Sequence, residues 1–165
     1  MSGTTHPFIA RPVTAEGFAR FGELLAPGED GAPPSAAESA LDLSQGAPRF
    51  YLMELEDKPA RFRSLTRHRR VTQVLASVGG GEWLLAVAAP TGEGDDDPRP
   101  GLADVAAFRI PGDVAVLLHR GTWHAGPYFD GERMSFFNLE LADTNVVDHQ
   151  SHPVAGDGIC TIEAS

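Results

Sequence analysis

From residue 49 onward the apolar residues of this chain recur at every second position, in short runs broken by turn-forming residues. The runs are RFYLMEL, RFRSL, VTQVLAS, EWLLAVAA, DVAAFRI, DVAVLLH and MSFFNLEL, and the breaks are EDKPA, VGGGE, TGEGDDDPRPG, PGD and RGTWHAGPYFDGE. A period of two matches strands whose side chains point alternately to the two faces of a sheet. Several short strands with such punctuation predict an all-β sandwich or barrel. Gly79-Gly80-Gly81, between two apolar runs, reads as the turn of a hairpin. Upstream, TAEGFARFGELLA spaces Phe18, Phe21 and Leu25 by three and four and offers Thr14 as N-cap, so an N-terminal helix is expected beside the barrel. Residues 27–40 read as a surface loop and about 150–165 as a peripheral tail of a single domain spanning 1–165.

Charge and cysteine content exclude several function classes. The net charge of -10 argues against a phosphate-backbone binder, which would need a basic face, so no nucleic-acid partner is expected. No apolar stretch approaches the roughly 20 residues of a membrane helix, and MSGTTHPFIARPV lacks the layout of a signal peptide. The single cysteine, Cys160, allows no intrachain disulfide and has no basic neighbour to activate it. These features lead to the expectation of a cytoplasmic protein that does not engage membranes.

Two stretches concentrate chemistry. In LTRHRRVTQVLASVGG, at 65–80, His68 precedes Gln73 by five residues and Gln73 precedes Gly79 by six. In PGDVAVLLHRGTWHAG, at 111–126, Gly121 precedes His124 by three. The pair resembles the two motifs of the cupin superfamily, whose fold is a double-stranded β-helix, or jelly-roll barrel. That resemblance implies a mainly β cupin-type barrel carrying the N-terminal helix. It also implies that the positions of Thr66, His68, Gln73 and His124 converge inside the barrel, where cupins usually hold a divalent metal. Here threonine stands for the first histidine and glutamine for the glutamate, so the candidate ligand set is reduced to His68, Gln73 and His124. An amide in place of a carboxylate weakens such a site, so no cofactor is expected to be required and any divalent metal to bind only weakly.

The strings RHRRVTQ and HRGTWHAGP, with FARFGELL before them and FFNLELADTNVVDH after, resemble the ureidoglycolate lyase family, formerly called ureidoglycolate hydrolases. The likeness spans roughly residues 12 to 149. It implies a small ureido-carboxylate substrate, cleavage of ureidoglycolate to glyoxylate and urea, and a homodimer. The substrate carbon carries a hydroxyl, a carboxylate and the ureido nitrogen. Its cleavage requires a base for the hydroxyl proton, an acid for the departing nitrogen and a cation for the carboxylate. Histidine suits the proton transfers and arginine the carboxylate.

The catalytic candidates are therefore His68, His124, His119 and Glu140, and the substrate-binding candidates Gln73, Arg120, Asn138 and Trp123. Gln73 shares a strand face with Val71 and Leu75, and Phe136, Asn138 and Glu140 share another. His119 and His124 differ by an odd number, and Gly121 is expected to supply the break in alternation that brings both to the barrel mouth. Trp123 also suits a mouth or interface anchor, and Arg49 and Arg63 are further possible carboxylate clamps. Arg67, Arg69 and Arg70 read as a solvated edge, and His6, His149 and His152 as unremarkable terminal residues. Two other readings stand beside the lyase: a metal-dependent cupin isomerase or dioxygenase, and a non-catalytic cupin that binds a small carboxylate.

Overall fold

The computed structural model of the chain describes residues 3–92 and 97–165; residues 93–96, in the middle of the acidic turn, lie outside it. Among the described residues there are thirteen strands: β1 Thr5–Pro12, β2 Gly22–Leu25, β3 Pro48–Glu56, β4 Arg61–Phe62, β5 Ser64–Arg67, β6 Gln73–Ser77, β7 Trp83–Ala88, β8 Ala106–Ile110, β9 Ala115–Leu118, β10 Trp123–Tyr128, β11 Arg133–Leu141, β12 Gln150–Pro153 and β13 Ile159–Ala164. Three one-turn helices accompany them, α1 Ala15–Phe18, α2 Ala36–Ser39 and α3 Thr144–Val147. One sheet runs β12-β5-β10-β7-β8-β1-β13-β4 and the other β2-β9-β6-β11-β3. From β3 to β11 the chain passes repeatedly between the sheets, with β5, β7, β8 and β10 in the first and β3, β6, β9 and β11 in the second. That winding is a jelly roll, the mainly β barrel expected of a cupin.

Between the sheets lies a core of Phe18, Phe21, Leu75, Trp83, Leu85, Val87, Phe108, Ile110, Val116, Leu118 and Phe136. The opposite face of the larger sheet carries a second core built on Ala86, Ala88, Trp123, Tyr128, Cys160 and Ile162. β7 shows why the run EWLLAVAA is almost continuously apolar: Trp83, Leu85 and Val87 point into one core, Ala86 and Ala88 into the other. Both of its faces are covered.

The predicted N-terminal helix is much shorter than its apolar spacing implies. Thr14 does cap it, accepting from the Gly17 N–H at 3.0 Å, but after Phe18 the chain turns and Gly22–Leu25 pairs with β9 instead. Gly22 permits this pairing, because a side chain there would run into the Leu117 carbonyl. One helical turn is not stable alone. It is held by Phe18, fully buried and edge-on to Phe108 at 5.3 Å, a burial worth about 1.5–3 kcal/mol.

Three other expectations are corrected. The Gly79–Gly81 segment is not a hairpin turn: β6 and β7 belong to different sheets, and Gly79 and Gly80, at φ 92° and 83°, steer the chain across. RGTWHAGPYFDGE is not all turn, for it contains β10, paired to β7 with a register shift between Ala125 and Tyr128. The tail is not peripheral. β12 pairs with β5, and β13 runs parallel to β1 over six residue pairs, Thr5–Ala10 against Ile159–Ala164. Within 27–40 the residues are mostly exposed, and α2 is started by a capping box between Ser35 and Glu38.

Candidate active site

One end of the barrel is left open as a cavity of ≈ 360 Å³, lined from β3 and the turn after it, from β5, β6, β10 and β11, and from α3 and the residues that follow it. His68, Gln73, His124, Asn138 and Glu140 all line it. They reach it by strand alternation. On β11 Phe136, Asn138 and Glu140 point inward, whereas Phe137 faces out.

His68, just beyond β5, is buried, with Nδ1 at 2.7 Å from the Asp148 carbonyl oxygen. A carbonyl only accepts, so Nδ1 carries the proton and Nε2 keeps its lone pair. The segment is fixed further by the Asp148 carboxylate, which accepts from the Arg69 and Arg70 N–H groups at 2.8 Å each. His124, opposite Thr66 in the sheet register, places its ring 5.3 Å from that of His68. Its hydrogen-bond partner among the described residues is the Thr122 carbonyl, at 3.5 Å from Nδ1. His149 adds a third imidazole, 5.6 Å from His68.

Burial sets the charge of this cluster. It pushes the His124 pKa down to about 3, with the neighbouring His68 lowering it further. Burial also lowers His68, but the Asp148 carbonyl and the Asp148 and Glu140 carboxylates oppose the shift. Both rings are therefore neutral at pH 7, and of the two only His68 has nearby carboxylates, Asp148 and Glu140, that oppose the lowering.

A stability prediction follows from the His124 shift. A histidine whose folded pKa lies below its unfolded value leaves the unfolded chain holding more protons between the two, so stability rises with pH across that window. The His124 contribution is complete above about 6.5 and is lost as pH falls toward about 3. Urea unfolding at successive pH values is expected to show a slope of up to about one proton, flattened by His124→Phe.

A directed hydrogen-bond chain crosses the cavity floor. The Tyr51 hydroxyl donates to Glu140 Oε1 at 3.3 Å, Asn138 Nδ2 donates to the Tyr51 oxygen at 3.1 Å, and Gln73 Nε2 donates to Asn138 Oδ1 at 3.1 Å. A carboxylate at one end can only accept, so it orients every group behind it. The Gln73 amide is thereby turned so that its Oε1 is buried with no partner. An orphaned acceptor beside a cavity suits an N–H donor on a ligand.

Two expected site residues, Arg120 and Trp123, are elsewhere, and a third, His119, only borders the site. His119 is half-exposed and does not line the main cavity; it pairs with Glu23 at 3.4 Å and borders a small recess shared with His68, Gln73 and His124. Gly121, at φ 83°, does reverse the chain after β9; it carries His124 into the main cavity, while His119 reaches only the small recess beside it. Arg120 pairs with Asp42 at 3.5 Å and, with His119, lines a separate surface pocket. Trp123 is fully buried on the far face of the sheet, donating to Thr91 Oγ1 at 3.2 Å. As the neighbour of an inward residue on a strand, it has to point the other way.

Sequence reasoning missed Tyr51, Lys58, Asn145 and His149, which also line the cavity. Tyr51 had a signal, since it shares the inward face of β3 with Met53 and Leu55. His149 had none: only the pairing of β12 with β5 brings it to His68. Nor is Arg67 a solvated edge; it is wholly buried.

The donor set does not fit a tight divalent centre. Among the described residues no three His, Cys, Asp or Glu side chains are grouped to share an ion. Gln73 offers a neutral oxygen where such sites use a carboxylate.

The ureidoglycolate lyase family profile matches residues 5–155. A ureidoglycolate lyase of Pseudomonas putida is 32% identical over 130 residues, covering 70% of this chain and 73% of the relative. That of Stutzerimonas stutzeri is 33% identical over 125 residues, covering 68% and 70%. Among solved structures, RmlC from Streptococcus suis in complex with dTDP-D-xylose is 16% identical, with a TM-score of 0.46 over 84% of this chain and 71% of that one, a likeness too distant to bear on reaction or ligand. With the family spanning nearly all of the barrel, the chain belongs to the ureidoglycolate lyases.

Proposed function

We propose that the protein cleaves ureidoglycolate to glyoxylate and urea, with His68 moving the proton. Family membership supports the reaction class. The observation that carries the residue assignment is a neutral His68, its Nδ1–H held by the Asp148 carbonyl and its Nε2 free.

The steps balance without a redox partner. His68 Nε2 takes the hydroxyl proton of the substrate, and the oxygen electrons form the carbonyl of glyoxylate. The carbon–nitrogen bond breaks with its electron pair remaining on the ureido nitrogen. The proton then passes from His68 to that nitrogen, releasing urea and restoring the neutral ring. Glu140, whose charge favours protonation of His68, stabilises the transient imidazolium. The free Gln73 Oε1 accepts from the ureido NH2 group, so the Tyr51–Asn138 chain positions the substrate through Gln73. His124 stays neutral and forms the wall beside His68.

No metal enters these steps, and none is required in the proposal. Protein treated with a chelator is expected to release urea and glyoxylate in equal amounts from ureidoglycolate at the untreated rate. Absence of both products, with or without added divalent ions, would sink the lyase reading.

A cytoplasmic homodimer is part of the same proposal. Among the described residues no helix is long and apolar enough to cross a membrane, and Cys160 is a buried free thiol whose pKa burial raises. β3 is an edge strand of nine residues. Phe50 on it is 66% exposed and stacks on Phe137 at 5.6 Å, an apolar strip suited to a second copy of the chain.

A further inference from the structure

The proposed reaction needs a cation for the substrate carboxylate, and none of the arginines offered for that role lines the cavity. Arg120 pairs with Asp42 and Arg63 donates to the carbonyls of Asp157 and Gly158, while Arg49 is held 3.8 Å over the ring of the lining residue Tyr51 without itself lining the cavity. Among the described residues no arginine lines the cavity. We infer that Lys58, the only lysine in the chain, is the carboxylate-binding residue at the cavity mouth. This rests on the reading of the cavity as the ureidoglycolate site.

Lys58 is exposed yet lines the cavity, and among the described residues it forms no ion pair, although the chain has 23 acidic residues to offer one. Its backbone is unusually well tied for a surface turn. Asp57 N–H donates to the Glu132 carbonyl at 3.0 Å, Phe129 N–H to the Lys58 carbonyl at 3.3 Å, and Arg61 N–H to the Pro59 carbonyl at 2.7 Å. Two of these bonds come from the connection between β10 and β11, so the turn is fastened to the strands that carry His124 and Glu140. Asp57, at φ 48°, is the only non-glycine residue with positive φ among those described. A backbone of that kind costs on the order of 1 kcal/mol and persists where its surroundings impose it. Proline at 59 narrows the turn further.

Electrostatics gives this placement a purpose. The cavity holds the Glu140 carboxylate, the His68 and His124 imidazoles are neutral, and the chain carries -10 overall. A substrate carboxylate approaching that field is repelled unless a cation stands at the entrance. Lysine fits a rim position, since its flexible stem lets a compact charge follow the ligand inward.

The test uses the full chain with Lys58→Met and Lys58→Arg. Oxamate, a carboxylate that is not turned over, and urea, which has none, are titrated separately by calorimetry. KM and kcat are measured from urea release. Lys58→Met is expected to raise the oxamate Kd and the KM by about tenfold or more, the loss of one charge-assisted bond, with a smaller change in kcat and an unchanged urea Kd. Lys58→Arg is expected to recover most of the loss. Unchanged oxamate binding, or an equal loss for oxamate and urea, overturns the inference. If the wild type releases no urea from ureidoglycolate, the lyase reading fails, and the oxamate titration still decides the role of Lys58.

Discussion

His68→Ala is expected to lower kcat/KM for ureidoglycolate by about 10²–10⁴-fold, the usual contribution of a positioned proton-transfer group. The loss follows from the chemistry left behind. Among the imidazoles of the cavity, His124 is held near a pKa of about 3, so it is a far weaker proton acceptor at neutral pH. Glu140 already receives the Tyr51 hydroxyl. The fold is expected to survive, because the Asp148 carboxylate still binds the Arg69 and Arg70 N–H groups, and the lost hydrogen bond to the Asp148 carbonyl is worth about 1 kcal/mol. Steady-state assays of urea release, beside a thermal unfolding curve, separate the two effects. In the wild type the acid limb of kcat/KM reports the base in the free enzyme. It is expected below the ordinary histidine value of 6.5, since burial lowers His68. Activity retained by the alanine variant would place the base at another residue.

Much of the barrel was legible because its core strands obey one rule. Where one face is buried, the period of two appears directly in the sequence, as on β11, and alternation alone puts Asn138 and Glu140 on the inward face. The spacings of His68 to Gln73 and of Gly121 to His124 carried the site for the same reason: each pair spans a fixed number of residues around one turn or strand. What escaped depends on contacts distant in sequence. β1 contains two prolines and has only Ala10 fully buried, so its alternation is faint, and its parallel pairing with β13 joins opposite ends of the chain. β10 is disguised by Gly126 and Pro127 and by the shift in register they accompany. Arg120 sits next to the right residues in sequence, but β9 ends at Leu118 and the turn that follows leaves it outside, with His119 reaching only a recess beside the main cavity. His149 and Lys58 enter through connections whose path no local pattern specifies.

Arg67→Ala is expected to destabilise the fold by about 3–5 kcal/mol, which for a chain of this size is a fall in Tm on the order of 10 °C. Arg67 is wholly buried behind the cavity wall. Its Nε donates to Gln150 Oε1 at 2.7 Å, its Nη1 to Asp97 and to Thr91 Oγ1, and its guanidinium lies 4.4 Å over the Trp123 ring. Truncation leaves Asp97 buried with Arg99, at 3.3 Å, as its remaining cation, strips Gln150 of its donor and opens a void against Trp123. Arg133→Ala is the control: that side chain is 62% exposed beside Glu54 and Glu56, and its loss is expected to change stability by less than about 0.5 kcal/mol. Chemical denaturation of both variants decides whether burial, and not the mere count of ion pairs, sets the cost; equal shifts would refute it. The consequence reaches the site. Arg67 ends β5 just before His68, and Gln150 begins β12 just after His149, so this clamp fastens from behind the two strands whose ends bring those imidazoles together.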